Sequence, residues 1–312
     1  GTPQGSSISC LIFALLVGDI ELYVDDSAVT AFADDTFTTT EANSLGDLKE
    51  KTESEGEKIL VFFASNRMVV NPSKTGLLVF RPTSSQHDQF SCRLGGEEIT
   101  ESPEEKILGV IVDNELKWSS HVQKLKNECN YHLSILRRIR RVLSANQTKM
   151  IANGMIMSRI RYCLAIHGAE QLRVTQDDKL TGVCHQMQLI QNEMLRIIFN
   201  HKKCDRVKIT DMLESADMLS VNQLIGYSIL MEAWKSKNFE IPHLSDLLKY
   251  ERNDDRTLRS NSTNSATSSV IEPFASCARK LWNLATPRFR TTNLVTVAKI
   301  ESRKLANSLP VM

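Results

Sequence analysis

The spacing of apolar residues changes near position 114, and this change confines the chain to a mixed architecture with strands early and helices late. Before it, short stretches such as "SAVTAFA" and "TFTTT" alternate small and apolar residues with β-branched ones, the pattern of strands. From Leu116 onward the pattern is almost wholly helical. In "HLSILRRIRRVL", Leu133, Leu136, Ile139 and Val142 recur every three residues while Arg137, Arg138, Arg140 and Arg141 cover the opposite surface. We expect an α/β (α+β) region over residues 1–113, a helical region over 114–200 and a mainly helical C-terminal region over 201–312. In the last, "ERNDDRTLRSNSTNSATSS", near 251–269, is poor in apolar residues and reads as an exposed loop.

Turn signals divide the first region further. "GTPQGSSISCLIFALLVGDI" begins with turn residues, offers Ser6 or Ser7 as a helix cap and runs apolar to Gly18, which predicts a loop and then a buried helix. The runs on either side of Asp34 and Asp35 predict a hairpin with both aspartates at its tip. Between about Thr40 and Asn66, Leu45, Leu48, Ile59, Phe62 and Phe63 fall near one face of a mostly charged helix, which Gly56 weakens. "RMVV", an Asn71-Pro72-Ser73 turn and "TGLLVF" predict a second hairpin. A polar connection follows, and "KILGVIV" predicts one more buried strand.

Composition excludes several classes. With 41% hydrophobic and 24% charged residues, the chain is not disordered. The apolar run "CLIFALLV" is well short of the ~18 residues that cross a bilayer and has no basic segment before it, so a soluble, intracellular protein without a membrane partner is expected. Seven scattered cysteines make a poor disulfide framework and read as reduced thiols. Cys184, His185, His201 and Cys204 have the chemistry of zinc ligands, but an adjacent Cys-His pair cannot easily aim both side chains at one ion. A buried thiol and surface histidines are favoured. The net charge is +1, yet acidic side chains dominate from Asp19 to Glu57. From Val122 to Arg161 the sign reverses: Lys124, Lys126, Arg137, Arg138, Arg140, Arg141, Lys149, Arg159 and Arg161 face only Glu128. Metal chemistry and polyanion binding are expected in different regions.

Two acidic doublets lie close together in "YVDDSAVTAFADDT", and one of them fits a divalent-cation site better. Nucleotidyl transfer with two Mg²⁺ ~4 Å apart needs carboxylates at the ends of rigid elements. Consecutive strand residues point to opposite faces, so an Asp-Asp pair converges only where the backbone bends. Asp34 and Asp35, flanked by strand-like sequence, meet that condition, although aspartates also serve as plain turn formers. Asp25 and Asp26 belong to YVDD, which looks like the metal-binding tetrapeptide of retroviral reverse transcriptases. They sit between a helix stop and the start of a strand, beside Asp19 and Glu21, as in a solvated connection.

In order along the chain, "GTPQGSSIS", "FADDT", "NPSKTGLLVF" and "KILGVIVDNELKWSSHV" resemble the reverse transcriptases of non-LTR, LINE-like retrotransposons. "RYCLAIHG" and "ARKLWNLATPRFR" resemble the region after the polymerase in jockey-like and CR1-like members, so the resemblance covers nearly the whole chain. It implies an RNA-directed DNA polymerase with a partial palm over 1–113 and a helical thumb over 114–200. It also implies Asp34 and Asp35 as the catalytic pair holding Mg²⁺ or Mn²⁺, with Phe32 and Ala33 before them in contact with the substrate nucleotide. The family's PQG loop precedes that hairpin by roughly the gap from Gln4 to Phe32, so YVDD comes too early.

Further assignments follow from the same resemblance. Pro3, Gln4 and Gly5 match the loop that positions template and incoming nucleotide, and otherwise make a plain turn before a helix. Lys74 matches a palm lysine near the triphosphate, and otherwise a surface lysine. Leu108 and Gly109 match the primer-gripping strand, and otherwise a point of close packing. Lys124, Lys126, Arg137, Arg138, Arg140, Arg141 and Lys149 would hold the duplex of RNA template and DNA primer through phosphates, with deoxynucleoside triphosphates as substrates; a solvated charged face is the alternative. A cytoplasmic ribonucleoprotein and the nucleus are the implied locations.

Two departures qualify the match. Cys10 replaces a proline usual after that serine, which a helix start tolerates. Palm polymerases also need an aspartate on an earlier strand, and nothing here precedes Gly1, so the chain is expected to be a fragment inactive by itself. The competing expectation is a decayed or co-opted remnant acting as a nucleic-acid-binding or protein-interaction module.

Overall fold

The computed structural model describes residues 6, 8–81, 89–174, 182–239, 241, 244, 248 and 268–311. Pro3, Gln4, Gly5, Ser7 and most of the expected loop at 251–269 lie outside the described residues. The chain is of the α+β class and gathers into two compact units, Gly1–Lys106 with Asp113–Glu115 and Ile107–Val112 with Leu116–Met312. Position 200, an expected boundary, lies inside the second unit, where one cluster of buried side chains includes residues on both sides of it.

In the first unit Ser27–Phe32 (β1) and Asp35–Thr40 (β2) pair antiparallel, from Ser27 opposite Thr40 to Phe32 opposite Asp35. Val29 is buried with Val17, Ile20 and Phe62. Ser9–Val17 (α1) forms where the apolar run predicts, but it is not a buried helix: only Val17 is buried, while Leu11, Ile12, Leu15 and Leu16 are exposed. Gly18 does end it as the C-cap, but not through a left-handed turn. With a helical φ of −57°, Gly18 leads into a 3-10 helix, Gly18–Tyr23.

Ser44 starts Leu45–Ser65 (α2), its hydroxyl accepting from Asp47 N at 3.1 Å. Gly56 has a packing reason that periodicity cannot show: a Cβ there would lie 2.5 Å from Leu94 Cδ1. Leu94 ends Ser91–Leu94 (β3), which pairs with Glu97–Thr100 (β4) around Gly95 and Gly96, both at positive φ. Hairpins favour such turns because their twist matches that of the strands. This hairpin occupies what reads as a polar connection.

Two strand expectations are corrected. "RMVV" and "TGLLVF" do not pair. The carbonyl of Leu77 accepts instead from Ser102 N at 2.8 Å, and Val79 packs with Phe90 and Cys92. Between them Pro72–Lys74 is a 3-10 turn, with Asn71 Oδ1 accepting from Ser73 N. "KILGVIV" is not one strand but two, Glu104–Ile107 (β5) and Val110–Asp113 (β6), joined by Leu108 and Gly109 at φ 46° and 90°.

The second unit is helical: Ser119–Ile139 (α3), Ala145–Ala152 (α4), Ser158–Arg161 (α5), Leu164–His167 (α6), Gly182–Phe199 (α7), Ile209–Ser215 (α8), Val221–Phe239 (α9), Ser268–Leu284 (α10), Pro287–Thr291 (α11) and Val295–Ser308 (α12). Leu133 and Leu136 on α3 are buried as their spacing predicts. Val142 is exposed, because α3 gives way to a 3-10 turn at Arg140–Val142 and the 3.6-residue period ends there. Helix α9 is buried on nearly every side and packs against α6, α7, α10 and α12. Asn222 and Gln223 on it donate to the carbonyls of Pro310 and Leu309, which fixes the end of the chain against the core. Among the described residues no helix is long and apolar enough to cross a membrane.

Candidate functional site

The β1–β2 register leaves Ala33 and Asp34 as a two-residue loop, with Ala33 at φ 53°. A positive φ at the first loop residue is the strained but favoured geometry of a tight hairpin. Asp34 and Asp35 are exposed at this tip beside exposed Phe32 and Ala33, and neither carboxylate has an ion pair or hydrogen bond among the described residues.

Asp25 and Asp26 are held very differently. Their backbone N–H groups both donate to Glu55 Oε2, at 2.9 and 3.3 Å. Lys58 Nζ bridges Asp25 Oδ2 at 2.8 Å and Glu55 Oε1 at 2.5 Å, and Lys51 Nζ lies 3.5 Å from Asp26 Oδ2. Hydrogen bonds from Lys58 to these two carboxylates hold its ammonium well above the ordinary lysine range. The first doublet is thus not only a solvated connection; α2 ties it down and supplies its counter-charges.

Carboxylate oxygens are hard donors, and Mg²⁺ is commonly held by one or two of them together with a substrate's phosphates. Asp34 and Asp35 are two exposed carboxylates, adjacent in sequence at the hairpin tip. Among the described residues there is no group of three or more His, Cys, Asp or Glu side chains that could enclose one. Lys74 is exposed at the end of its 3-10 turn, with no ion pair to either aspartate.

Within the second unit the basic band separates into two sets. Arg137 Nη2 lies 2.6 Å from Glu193 Oε1 on α7, and Arg140 Nε donates to the carbonyl of Ile197 at 2.8 Å, capping the end of α7. Arg138 and Arg141 are exposed, while Lys124, Lys126 and Lys149 are half-buried; none of these has an ion pair among the described residues. Cys184 is buried while His185 beside it is exposed, so that adjacent pair points apart. His201 lies 3.7 Å from Asp205.

The second unit also holds an open cleft of about 390 Å³ that sequence reasoning does not anticipate. It is lined by Gly109, His121, Lys124, Leu125, Glu128, Ser158, Arg159 and Tyr162. A π-helical turn, Asn153–Met157, joins α4 to α5 immediately before Ser158 and Arg159. The wider turn shifts the register of the side chains that follow it, and such turns are frequent at functional sites. Tyr162 Oη donates to the carbonyl of Leu108 at 2.6 Å, which anchors the β5–β6 turn at the cleft edge.

Beneath the cleft, His121 Nδ1 accepts from Ile111 N at 3.4 Å, and its ring is 5.1 Å from that of buried His167. Burial, helped by Lys124, pushes the His121 imidazole below its usual range; burial, helped by His121, pushes His167 down to about 4. Compared with family models, with curated proteins and with solved structures, the chain shows no match.

Proposed function

We propose that the chain is part of the RNA-directed DNA polymerase of a non-LTR retrotransposon, with its metal hairpin at Asp34 and Asp35. The observation that carries the proposal is the contrast between the doublets. One is locked to lysines and to Glu55 on α2, whereas the other stands uncompensated at a two-residue turn. Mg²⁺ or Mn²⁺ bound there would stabilise charge on the attacking and leaving oxygens of nucleotidyl transfer. The hairpin's part is to keep two carboxylates close without a competing cation, and the turn at Ala33 fixes their separation. Arg138, Arg141, Lys124, Lys126 and Lys149 would neutralise phosphates of the RNA template and DNA primer, giving affinity without sequence preference. Lys74 would face the triphosphate, and the family's ribonucleoprotein life would take the protein through cytoplasm and nucleus.

Mn²⁺ paramagnetic broadening of amide NMR signals tests the metal hairpin directly. Signals of residues 33–36 should broaden in the parent and in Asp25→Ala, and stay sharp in an Asp34→Ala/Asp35→Ala double variant. Broadening centred on residues 25–26 would overturn the assignment. Primer extension on an RNA template, with the reading frame extended upstream, then tests the polymerase: Asp34→Ala should abolish it.

A second reading has its own support. The helical unit has one continuous core and a cleft of its own, so it can serve as a nucleic-acid-binding module whether or not the hairpin supports catalysis.

A further inference from the structure

We propose that the cleft between α3 and α5 binds a ribose-phosphate unit, distinguishing ribonucleotides from deoxyribonucleotides. It shares with the function proposed above only the premise that the chain handles nucleic acid, and it rests on which polar atoms of the cleft are already committed.

The positive groups come first. Lys124 is half-buried, with no ion pair or hydrogen bond among the described residues. Arg159 spends Nη1 on the carbonyl of Met155 and Nε on Glu128 Oε2 at 3.5 Å, which leaves its Nη2 edge for a ligand. Lys124 from α3 and Arg159 from α5 bring two cations to the cleft, which suits an anionic oxygen, and a guanidinium edge suits a phosphate.

His121, 7% exposed in the floor of the cleft, keeps its one ring hydrogen on Nε2 because Nδ1 accepts from Ile111 N; the polar side-chain atoms nearer solvent accept. Tyr162 Oη has donated its one hydrogen to Leu108 and also shares a hydrogen bond with the Cys163 thiol, and Ser158 Oγ has donated its own to the carbonyl of Gly154 at 2.5 Å. Each hydroxyl therefore faces a ligand with lone pairs only. Glu128 is an acceptor, and its Oε1 has no partner among the described residues. Towards a ligand the cleft thus offers two cationic donors beside the acceptor oxygens of Glu128 and Ser158.

This combination discriminates among ligands. Inorganic phosphate satisfies Lys124 and Arg159 and has a hydroxyl to donate, but it leaves the rest of a cleft of about 390 Å³ unfilled. A DNA backbone has acceptors only, so it leaves Glu128 and Ser158 unmatched. The 2′-hydroxyl is the one donor that a nucleic-acid backbone carries, and it sits next to a phosphate. A volume of about 390 Å³ is of single-nucleotide size. Gly109 is required at the edge of the cleft by its φ of 90°, which L side chains rarely adopt.

The test is fluorescence anisotropy on the full chain with 12-mers of uridine and of deoxyuridine, which differ only in the 2′-hydroxyl. The parent should bind the ribo-oligomer about 10-fold more tightly, the scale of one hydrogen bond to a charged acceptor. Glu128→Ala should bring that ratio to about 1, and Glu128→Gln, which keeps an acceptor oxygen and the side-chain shape, should leave an intermediate value. Lys124→Gln should weaken both oligomers alike. Competition by uridine monophosphate separates the sources: displacement at matched nucleotide concentration identifies a free ribonucleotide as ligand, and a much weaker effect identifies an RNA strand.

Equal binding of the two oligomers by the parent, or a ratio that survives Glu128→Ala, would overturn the inference while leaving the metal hairpin standing. No binding of either oligomer would overturn both this inference and the nucleic-acid premise.

Discussion

Replacing Glu55 with alanine tests the reasoning that separates the two acidic doublets. Its carboxylate is 5% exposed and takes three donors: Asp25 N, Asp26 N and Lys58 Nζ. Hydrogen bonds to a charged acceptor contribute ~1.5–3 kcal/mol each. Both amides share one oxygen, the longer contact is 3.3 Å, and water can reach the exposed Asp25 and Asp26, so the sum falls to about 2 kcal/mol. That corresponds to about a 30-fold change in the opening equilibrium of the first unit. Trp118, Trp234 and Trp282 all lie in the second unit, so tryptophan fluorescence cannot report this change. Hydrogen exchange of the α2 amides can. In Glu55→Ala, exchange over residues 45–65 should rise by about that factor while the tryptophan-detected urea midpoint stays put, and Glu50→Ala on the exposed face should do neither. Unchanged exchange on α2, or a parallel fall of the tryptophan midpoint, would refute the latch.

Three further outcomes follow from burial in the second unit. His121 and His167 have folded pKa values below the unfolded value of 6.5, so the unfolded chain binds more protons as pH falls from 6.5 towards about 4. Stability of the second unit should be full above pH 6.5 and decline through that window, by on the order of 3 kcal/mol for His167, and a His167→Gln variant should flatten the urea-midpoint profile. Burial pushes the thiols of Cys129 and Cys184 up to about 11 and about 12. Ellman's reagent at pH 8 should therefore label exposed Cys10 and Cys204 quickly and leave Cys129 and Cys184 untouched until denaturant is added, as peptide mass spectrometry would show. At Gly168 a Cβ would lie 2.7 Å from the Leu164 carbonyl oxygen and 2.9 Å from Ile225, and backbone cannot yield as a side chain does. Gly168→Ala should cost about 1–3 kcal/mol, read from the tryptophan-detected midpoint.

What the sequence made legible depended on whether the determinant was local. The β1–β2 hairpin, helix α2 and the inward face of α3 are each set by residues a few positions apart, and each lies where its pattern predicts. The extended runs at 68–70 and 75–80 have strand composition, but the Leu77 carbonyl finds its partner in Ser102, a competitor that no local window contains. The β3–β4 hairpin was legible in principle, because Gly95-Gly96 between two short runs is a turn signal. Leu108-Gly109 is harder, since a leucine at φ 46° does not announce a turn. The exposure of α1 escapes a local pattern for the opposite reason: an apolar run shows that a face can be covered, and only the tertiary structure shows whether it is. The cleft was invisible because its parts are far apart in sequence and the π turn that sets up Ser158 and Arg159 leaves no trace in periodicity.

The arginine-rich helix shows how far a charge pattern can carry a binding argument. On a helical wheel Arg137, Arg138, Arg140 and Arg141 look equivalent, but Arg137 is paired with Glu193 and Arg140 caps α7, so only Arg138 and Arg141 are exposed without an ion pair among the described residues. A side chain releases a counterion on binding nucleic acid only if its charge is not already neutralised, and each phosphate contact adds ~0.7–0.9 to the slope of log K against log salt. Arg138→Gln and Arg141→Gln should each reduce the slope measured with a 12-mer duplex by up to about 1. Arg137→Gln should leave the slope unchanged and instead expose Glu193, loosening α3 from α7 and lowering the urea midpoint. If Arg137→Gln flattens the salt dependence as much as Arg141→Gln does, the Glu193 pair opens on binding, and the division of the helix into structural and free arginines fails.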